Sequence, residues 1–276
     1  MPIFHAIVLG LVQGFTEFLP ISSSGHLLLV PWLFDWNDFD EESVKKTFDV
    51  ALHLGTFVAV LGYFWSDVTT YVREGLSLVV HRDRPTTVEG RLAWLFVLAT
   101  LPAAAVGAIF ESTIDERLGT PGIIAVSLIV FGVILGVADR LPQRKRVEDF
   151  SVRDALVVGG AQALALNPGT SRSGITMTAA RAIGFHRDAA VRISFLMSLP
   201  VIGGAVVFKL GGLAVDGIPD GLLLPMIVGI VTSGIAGWIA VWGTLAIVRT
   251  HSMMPFVIYR IGLGVTILLI MASGLR

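Results

Sequence analysis

Apolar residues run along this chain in blocks about one membrane span long, separated by short polar intervals. A helix rises 1.5 Å per residue, so roughly 20 apolar residues cross the ~30 Å hydrocarbon core of a bilayer. Uninterrupted blocks at about 48–65, 92–110, 122–138, 193–213, 221–248 and 256–273 predict six such spans. Two further apolar stretches, 3–33 and 155–185, are broken in the middle. The breaks read Leu19-Pro20-Ile21-Ser22-Ser23-Ser24-Gly25 and Asn167-Pro168-Gly169-Thr170-Ser171-Arg172-Ser173-Gly174. Irregular polar backbone at membrane depth survives only where protein or a wet cavity covers it, so both stretches predict re-entrant helical hairpins. The expected fold class is therefore an all-α polytopic membrane protein with six transmembrane helices plus two re-entrant helical hairpins.

Composition supports this class. Of 276 residues 54% are hydrophobic and only 15% charged, where a soluble domain carries roughly a quarter charged residues. The opening apolar run does not read as a cleavable signal, because no small-residue cleavage site follows it. The net charge of −1 removes the basic field that a nucleic-acid partner would require. With no cysteine in the chain, disulfides, thiolate metal sites and a cysteine nucleophile are excluded.

The polar intervals sort by sign. Basic ones lie at 66–91 (Arg73, Arg82, Arg84, Arg91), 139–154 (Arg140, Arg144, Lys145, Arg146, Arg153), 186–192 (Arg187, Arg192) and 249–255 (Arg249). Acidic ones lie at 34–46 (Asp35, Asp38, Asp40, Glu41, Glu42, partly offset by Lys45 and Lys46), 111–121 (Glu111, Asp115, Glu116) and 214–220 (Asp216, Asp220). Six crossings place all the basic intervals on one face and all the acidic ones on the other. Lys and Arg near span ends stay on the cytoplasmic side, so both termini are expected outside. The first hairpin then enters from outside and the second from the cytoplasm.

A repeat accompanies this plan. A shift of 149 residues lays Gln13 on Gln162, Ser22 on Ser171, Ser24 on Ser173 and Gly25 on Gly174. Each half holds one broken hairpin and three spans, and an odd number of spans inverts the second half. The expectation is a single integral membrane domain, 1–276, made of inverted repeats about 1–138 and 139–276.

Charges kept at membrane depth mark the candidate site. Gln13 and Glu17 are four residues apart and share a helix face. Ser22, Ser23, Ser24, Gly25 and His26 stand where a half-helix begins, a place suited to anions through free N–H groups and hydroxyls, although serines there also serve as plain caps. In the second break Arg172 offers a guanidinium fork for phosphate, flanked by Thr170, Ser171, Ser173 and Gly174. Paired with Glu17 across the repeat interface, Arg172 would instead form a buried ion pair. If the two tips meet, Glu17, Ser23, His26 and Arg172 converge, an inventory suited to phosphoryl transfer. Asp49 and His53 are read as supporting residues near a span end, Lys209 as snorkelling to the interface, and Arg260 as holding the basic face.

The run from Gln13 to His26, together with Pro168–Gly174 and Pro255-Phe256-Val257-Ile258-Tyr259-Arg260, closely resembles the bacterial undecaprenyl-diphosphate phosphatase family of the bacitracin-resistance type. The resemblance covers essentially the whole chain. It implies hydrolysis of a C55 polyprenyl diphosphate lipid to the monophosphate and inorganic phosphate. The carrier is thereby recycled for cell-wall synthesis, at a site facing the extracytoplasmic side of the bacterial inner membrane. It implies catalytic duty for Glu17, for Ser23 as nucleophile, for His26 in acid/base or nucleophilic work and for Arg172 on the diphosphate. Gln13, Ser22, Ser24, Thr170, Ser171, Ser173 and Gly174 would line the substrate site. It also implies a divalent cation, Mg²⁺ or Ca²⁺, on Glu17. Members with Glu at the position of Gln13 would share that charge between two carboxylates, whereas here Glu17 carries it alone.

Two functions remain in competition at this level. One is the membrane phosphatase, with attack by Ser23 or by an activated water. The other is a lipid-phosphate or anion transporter that uses the same inverted-repeat site to bind without reacting. Membrane lipids are expected partners, nucleic acid is not, and a homodimer is compatible with the sequence, which does not set the oligomeric state.

Overall fold

The computed structural model describes residues 1–39, 42–81, 86–218 and 221–276, with the side chains of 42–43, 110–117 and 208–216 outside the description. Asp40, Glu41, Arg82, Arg84 and Asp220, and the side chains of Glu42, Glu111, Asp115, Glu116, Lys209 and Asp216, which carried expectations above, lie outside the described residues. The described chain is helical throughout: α1 (Ile3–Phe18), α2 (Ser23–Phe34), α3 (Glu42–Tyr63), α4 (Trp65–Val80), α5 (Val88–Leu118), α6 (Pro121–Ala138), α7 (Val152–Gln162), α8 (Arg172–Ala182), α9 (Arg187–Asp216), α10 (Leu223–Thr250) and α11 (Met254–Ala272).

Local chemistry explains where several of these helices begin. Thr87 accepts from Gly90 N at 3.1 Å to open α5. Pro121 stands in the first turn of α6 and Pro255 in that of α11, where a missing N–H costs nothing. Ser151 and Asp154 cap α7 reciprocally: Ser151 Oγ accepts from Asp154 N at 3.3 Å and Asp154 Oδ2 from Ser151 N at 3.1 Å.

Five helices are long and apolar enough to cross a bilayer: Val88–Ile109 of α5, α6, Arg187–Val207 of α9, α10 and α11. These match five of the six expected spans. The sixth, 48–65, falls in α3 and meets the same criterion only together with α4, from which it is bent by 82°. Helix α4 is a correction, because 66–91 reads as a polar interval when its charges are counted. Its apolar residues Val68, Val72, Leu76 and Val79 nevertheless recur at helical spacing. Many large apolar residues point outward, among them Leu101, Val137, Ile235, Trp242, Ile258 and Leu269, as a lipid solvent allows and water does not. The protein is a multi-pass membrane protein.

The two broken stretches are helix pairs: α1 and α2 meet at 19–22, and α7 and α8 are joined by a 3₁₀ turn, Ala163–Leu166, and the run to Ser171. Helix α1 lies along α10, and α7 along α5. Glycine permits both approaches: a Cβ on Gly10 would stand 1.9 Å from Thr232 Oγ1, and one on Gly159 2.3 Å from the Ala99 carbonyl. In the core, Phe18 of α1 meets Phe195 of α9 edge to face with centroids 5.3 Å apart.

Candidate active site

Both half-helices after the breaks start from the same unusual backbone. Ser22 has φ 80 and Ser171 φ 74, a region that L-residues enter only when held there. Each serine caps the helix it precedes: Ser22 Oγ accepts from Gly25 N at 3.3 Å, and Ser171 Oγ from Gly174 N at 3.0 Å. The next residue, first in its helix, is Ser23 in one case and Arg172 in the other. They stand 149 positions apart, the interval of the repeat.

These two residues meet on one carboxylate. Ser23 Oγ donates to Glu17 Oε2 at 2.6 Å, and Arg172 Nη2 donates to Glu17 Oε1 at 2.7 Å. Gln13 Nε2, one turn back on α1, adds a hydrogen bond to Glu17 Oε2 at 3.2 Å. His53 Nε2 lies 3.6 Å from the same oxygen, which gives this residue of α3 its supporting place, and its Nδ1 donates to the Asp49 carbonyl at 2.7 Å. Arg172 spends a second N–H on the Ser194 carbonyl at 3.0 Å, so its fork is aimed by α9. Glu17 is 6% exposed. A carboxylate this deep stays ionised at tolerable cost only with such partners.

Glu17, Ser23, Ser24, His53, Ser171 and Arg172 line one cavity of about 260 Å³, closed on its other walls by Val50, Ala165, Val201, Ile202 and Ala205. The expected convergence therefore holds for Glu17, Ser23 and Arg172. It does not hold for His26. That ring lies in a separate cavity of about 420 Å³ beside Phe15, Thr16, Phe256 and Tyr259. Its Nδ1 meets the Ser22 carbonyl at 2.7 Å and its Nε2 the Tyr259 hydroxyl at 2.8 Å. Helical spacing placed it near the serines, and it does bond the Ser22 carbonyl, but it lines a different cavity from Ser23 and Glu17.

The other expected contacts are structural in form. Ser22 Oγ also accepts from Gly169 N at 3.1 Å, tying one break to the other. Ser173 Oγ donates to the Leu19 carbonyl at 3.1 Å, and Asn167 Nδ2 to Thr170 Oγ1 at 3.1 Å. Gly174 leaves room for a guanidinium: a Cβ there would stand 2.7 Å from Arg260 Nη1.

Arg260 is the residue most misjudged from sequence. It does not hold the basic face but lies fully buried between the breaks. It donates to the carbonyls of Pro20 (3.0 Å), Gly169 (2.9 Å), Thr170 (2.9 Å) and Leu128 (3.2 Å). Three carbonyls of the irregular backbone, which the membrane would leave unsatisfied, thus find donors on one side chain. The available signal was an arginine inside an apolar run. Arg181 does related work near the loops, donating to the carbonyls of Phe185, Asp139 and Leu141.

For a cation the site offers few donors of its own. They are the Glu17 carboxylate, the Ser23 hydroxyl, His53 Nε2 beside Glu17 and Gln13 Oε1, which is buried without a hydrogen-bond partner. Among the described residues no group of three or more His, Asp and Glu gathers. This set fits an ion held partly by phosphate oxygens of a substrate, as Mg²⁺ commonly is, and not a closed protein cage. A larger cavity of about 690 Å³, among the basic loops around Asp67, Arg146, His186 and Arg192, contains none of the motif residues.

Buried charge gathered between two broken helix pairs, inside a shell of apolar helices, defines a polytopic membrane protein with an enclosed polar site. The chain belongs to the bacitracin resistance protein BacA family, whose model matches residues 6–266. It is similar to proteins named undecaprenyl-diphosphatase. The one from Geotalea daltonii is 45% identical over 277 residues, covering 99% of this chain and 100% of that protein. The one from Desulforudis audaxviator is 47% identical over 268 residues, covering 97% of each. The Geobacter sulfurreducens protein is 44% identical over 270 residues, covering 97% of this chain and 98% of its own.

Proposed function

We propose that this protein is an integral membrane phosphatase that hydrolyses undecaprenyl diphosphate to undecaprenyl phosphate and inorganic phosphate. It thereby recycles the carrier for cell-wall synthesis and confers bacitracin resistance. The observation that carries the reading is Ser23 Oγ held 2.6 Å from a carboxylate whose other oxygen engages Arg172. A binding site alone needs the cation, whereas a hydroxyl hydrogen-bonded to a buried base is the arrangement of an activated nucleophile.

In the proposed reaction Arg172 turns its fork from Glu17 to the terminal phosphate of the substrate. Glu17 takes the Ser23 proton as Oγ attacks that phosphorus, and the bond to the bridging oxygen breaks. Undecaprenyl phosphate leaves with the proton that Glu17 took, and a phosphoserine remains. Glu17, ionised again, takes a proton from the water that attacks the phosphoserine and passes it to Ser23 Oγ as inorganic phosphate leaves. Glu17 and Gln13 would hold a Mg²⁺ or Ca²⁺ ion, which when bound supplies charge neutralisation to the diphosphate. Apolar Val50, Val201, Ile202 and Ala205 exclude water from the cavity where the prenyl chain begins.

We further read the helix pairs α1–α2 and α7–α8 as re-entrant hairpins of two inverted halves, about 1–138 and 139–276. Supporting this, α1 packs on α10 as α7 packs on α5, α3 on α10 as α9 on α5, and α6 on α11. That is the exchange a two-fold relation produces. The charge sorting supports the bacterial inner membrane, with the site opening to the extracytoplasmic side.

The test of mechanism is Ser23→Ala in detergent-purified protein assayed for phosphate release. Loss of about 10³-fold or more is expected of a nucleophile. Activity within a few-fold of wild type would replace the serine by an activated water. A wild-type protein that moves lipid phosphate across liposomes without releasing phosphate would be a transporter instead.

A further inference from the structure

His26 and Ile175 are the counterparts of one another at the repeat interval, so the first break has a buried polar ring where the second has an aliphatic chain. The ring lies under the most constrained residue of the site. Ser22, at φ 80, is tied by its hydroxyl to Gly25 N and Gly169 N. Its carbonyl accepts from His26 N at 3.2 Å and from His26 Nδ1 at 2.7 Å. A carbonyl oxygen only accepts, so Nδ1 carries a hydrogen. In the neutral ring Nε2 is then the acceptor, and the Tyr259 hydroxyl, 2.8 Å away, donates to it. The two rings are nearly parallel, 11° apart in plane. Both imidazole nitrogens are therefore engaged, in a cavity other than the one that Ser23 faces.

We propose that Tyr259 and His26 are positioning residues for Ser23. The chain from the Tyr259 hydroxyl through the imidazole to the Ser22 carbonyl fixes the left-handed turn from which α2 starts, and so the direction in which the Ser23 hydroxyl points at Glu17. His26 contributes by its shape and its Nδ1 hydrogen and takes no proton from the reaction. This rests on the phosphatase reading above, and it assigns Tyr259, on α11, a part in a site built mainly from α1, α2 and α8.

Two kinds of measurement test it. In phosphate-release assays Tyr259→Phe keeps the ring and removes the hydroxyl. It should lower kcat by about three- to thirty-fold, with KM within about two-fold and the pH profile superimposable on wild type. His26→Asn sets an amide nitrogen where Nδ1 stands, and should retain clearly more activity than His26→Gln, whose amide reaches only the Nε2 position. Equal inactivity of the Asn and Gln variants, with the acid limb of the residual pH profile lost, would make His26 the proton acceptor and overturn the proposal. So would a Tyr259→Phe enzyme indistinguishable from wild type. Independently of activity, ¹⁵N-histidine NMR, with the His26 signals assigned by their loss in His26→Asn, should show a protonated Nδ1, and an Nε2 signal that shifts in Tyr259→Phe. A proton on Nε2 with a bare Nδ1 would refute the hydrogen-bond chain. If that chain is seen while the wild type releases no phosphate, it is the phosphatase reading that fails.

Discussion

Glu17 has two oxygens and a cation or hydroxyl on each, and this division of labour sets what substitutions should do. Lys in place of Arg172 keeps the charge but loses the planar fork that reaches both Glu17 and the Ser194 carbonyl. Arg172→Lys is expected to lower kcat/KM by about 10²-fold, as loss of one well-placed donor to transition-state charge does. Because Glu17 and Arg172 touch, Glu17→Gln combined with Arg172→Lys should cost less than the two single effects added, which a double-mutant cycle on kcat/KM will measure. Replacing Arg260 by Met leaves the carbonyls of Pro20, Gly169 and Thr170 without this donor. Each buried unsatisfied group costs about 1–3 kcal/mol, so Arg260→Met should fall apart on mild heating in detergent, read by loss of the monodisperse peak in size exclusion. Glu17 and Arg172 were legible in the sequence because a charge at membrane depth requires a reason. The surroundings of His26 and Arg260 were not. Spacing along the chain says which residues share a helix face, whereas which neighbour that face meets is decided by packing between helices distant in sequence.

At the scale of elements, the breaks, the caps and most spans follow from local pattern: proline, serine and glycine interrupt apolar runs, and the helices end there. Helix α4 did not follow, since its charges masked an apolar stripe whose period only the helix makes plain. Close packing rests on glycines whose partners no local pattern identifies. A Cβ on Gly14 would stand 2.5 Å from Ala236 Cβ and 2.6 Å from the Ser233 carbonyl, so α1 would have to move off α10. Gly14→Val should cost about 1–3 kcal/mol or more, lowering the thermal midpoint and displacing Glu17 together with it. The start of α7 gives a pH test. Burial pushes the Asp154 carboxyl up, but hydrogen bonds from Lys145 and Ser151 and the Lys145 charge outweigh it and hold the group below the usual carboxylate range. A carboxyl depressed in the folded state stabilises it above the unfolded value of about 4, and that contribution is lost as pH falls through the lower folded value. Asp154→Asn should therefore lower the melting temperature at pH 7 and differ progressively less from wild type below about pH 4.

For the molecule as a whole, the membrane supplies the reason for the architecture. A lipid diphosphate places its charged head beside an apolar chain, and an enzyme for it needs buried charge reachable from the bilayer. Two broken helix pairs provide that charge without exposing backbone to lipid, because each pair covers the break in the other through Ser22 and Ser173 while Arg260 of α11 bonds the carbonyls of both. The proline, serine and glycine interruptions foretold the two helix pairs, and the family resemblance foretold an undecaprenyl-diphosphatase. The structure adds the detail of the meeting: Ser23 and Arg172, 149 positions apart, each bond a different oxygen of Glu17. The most direct measurement is phosphate release from a polyprenyl diphosphate by purified protein, with and without EDTA, for wild type, Glu17→Ala and Arg172→Ala. Release by the wild type that falls on chelation and is lost in both variants is the expected result. Sustained release in either variant, or none from folded wild type across metals and lipids, would contradict a phosphatase site between the two breaks.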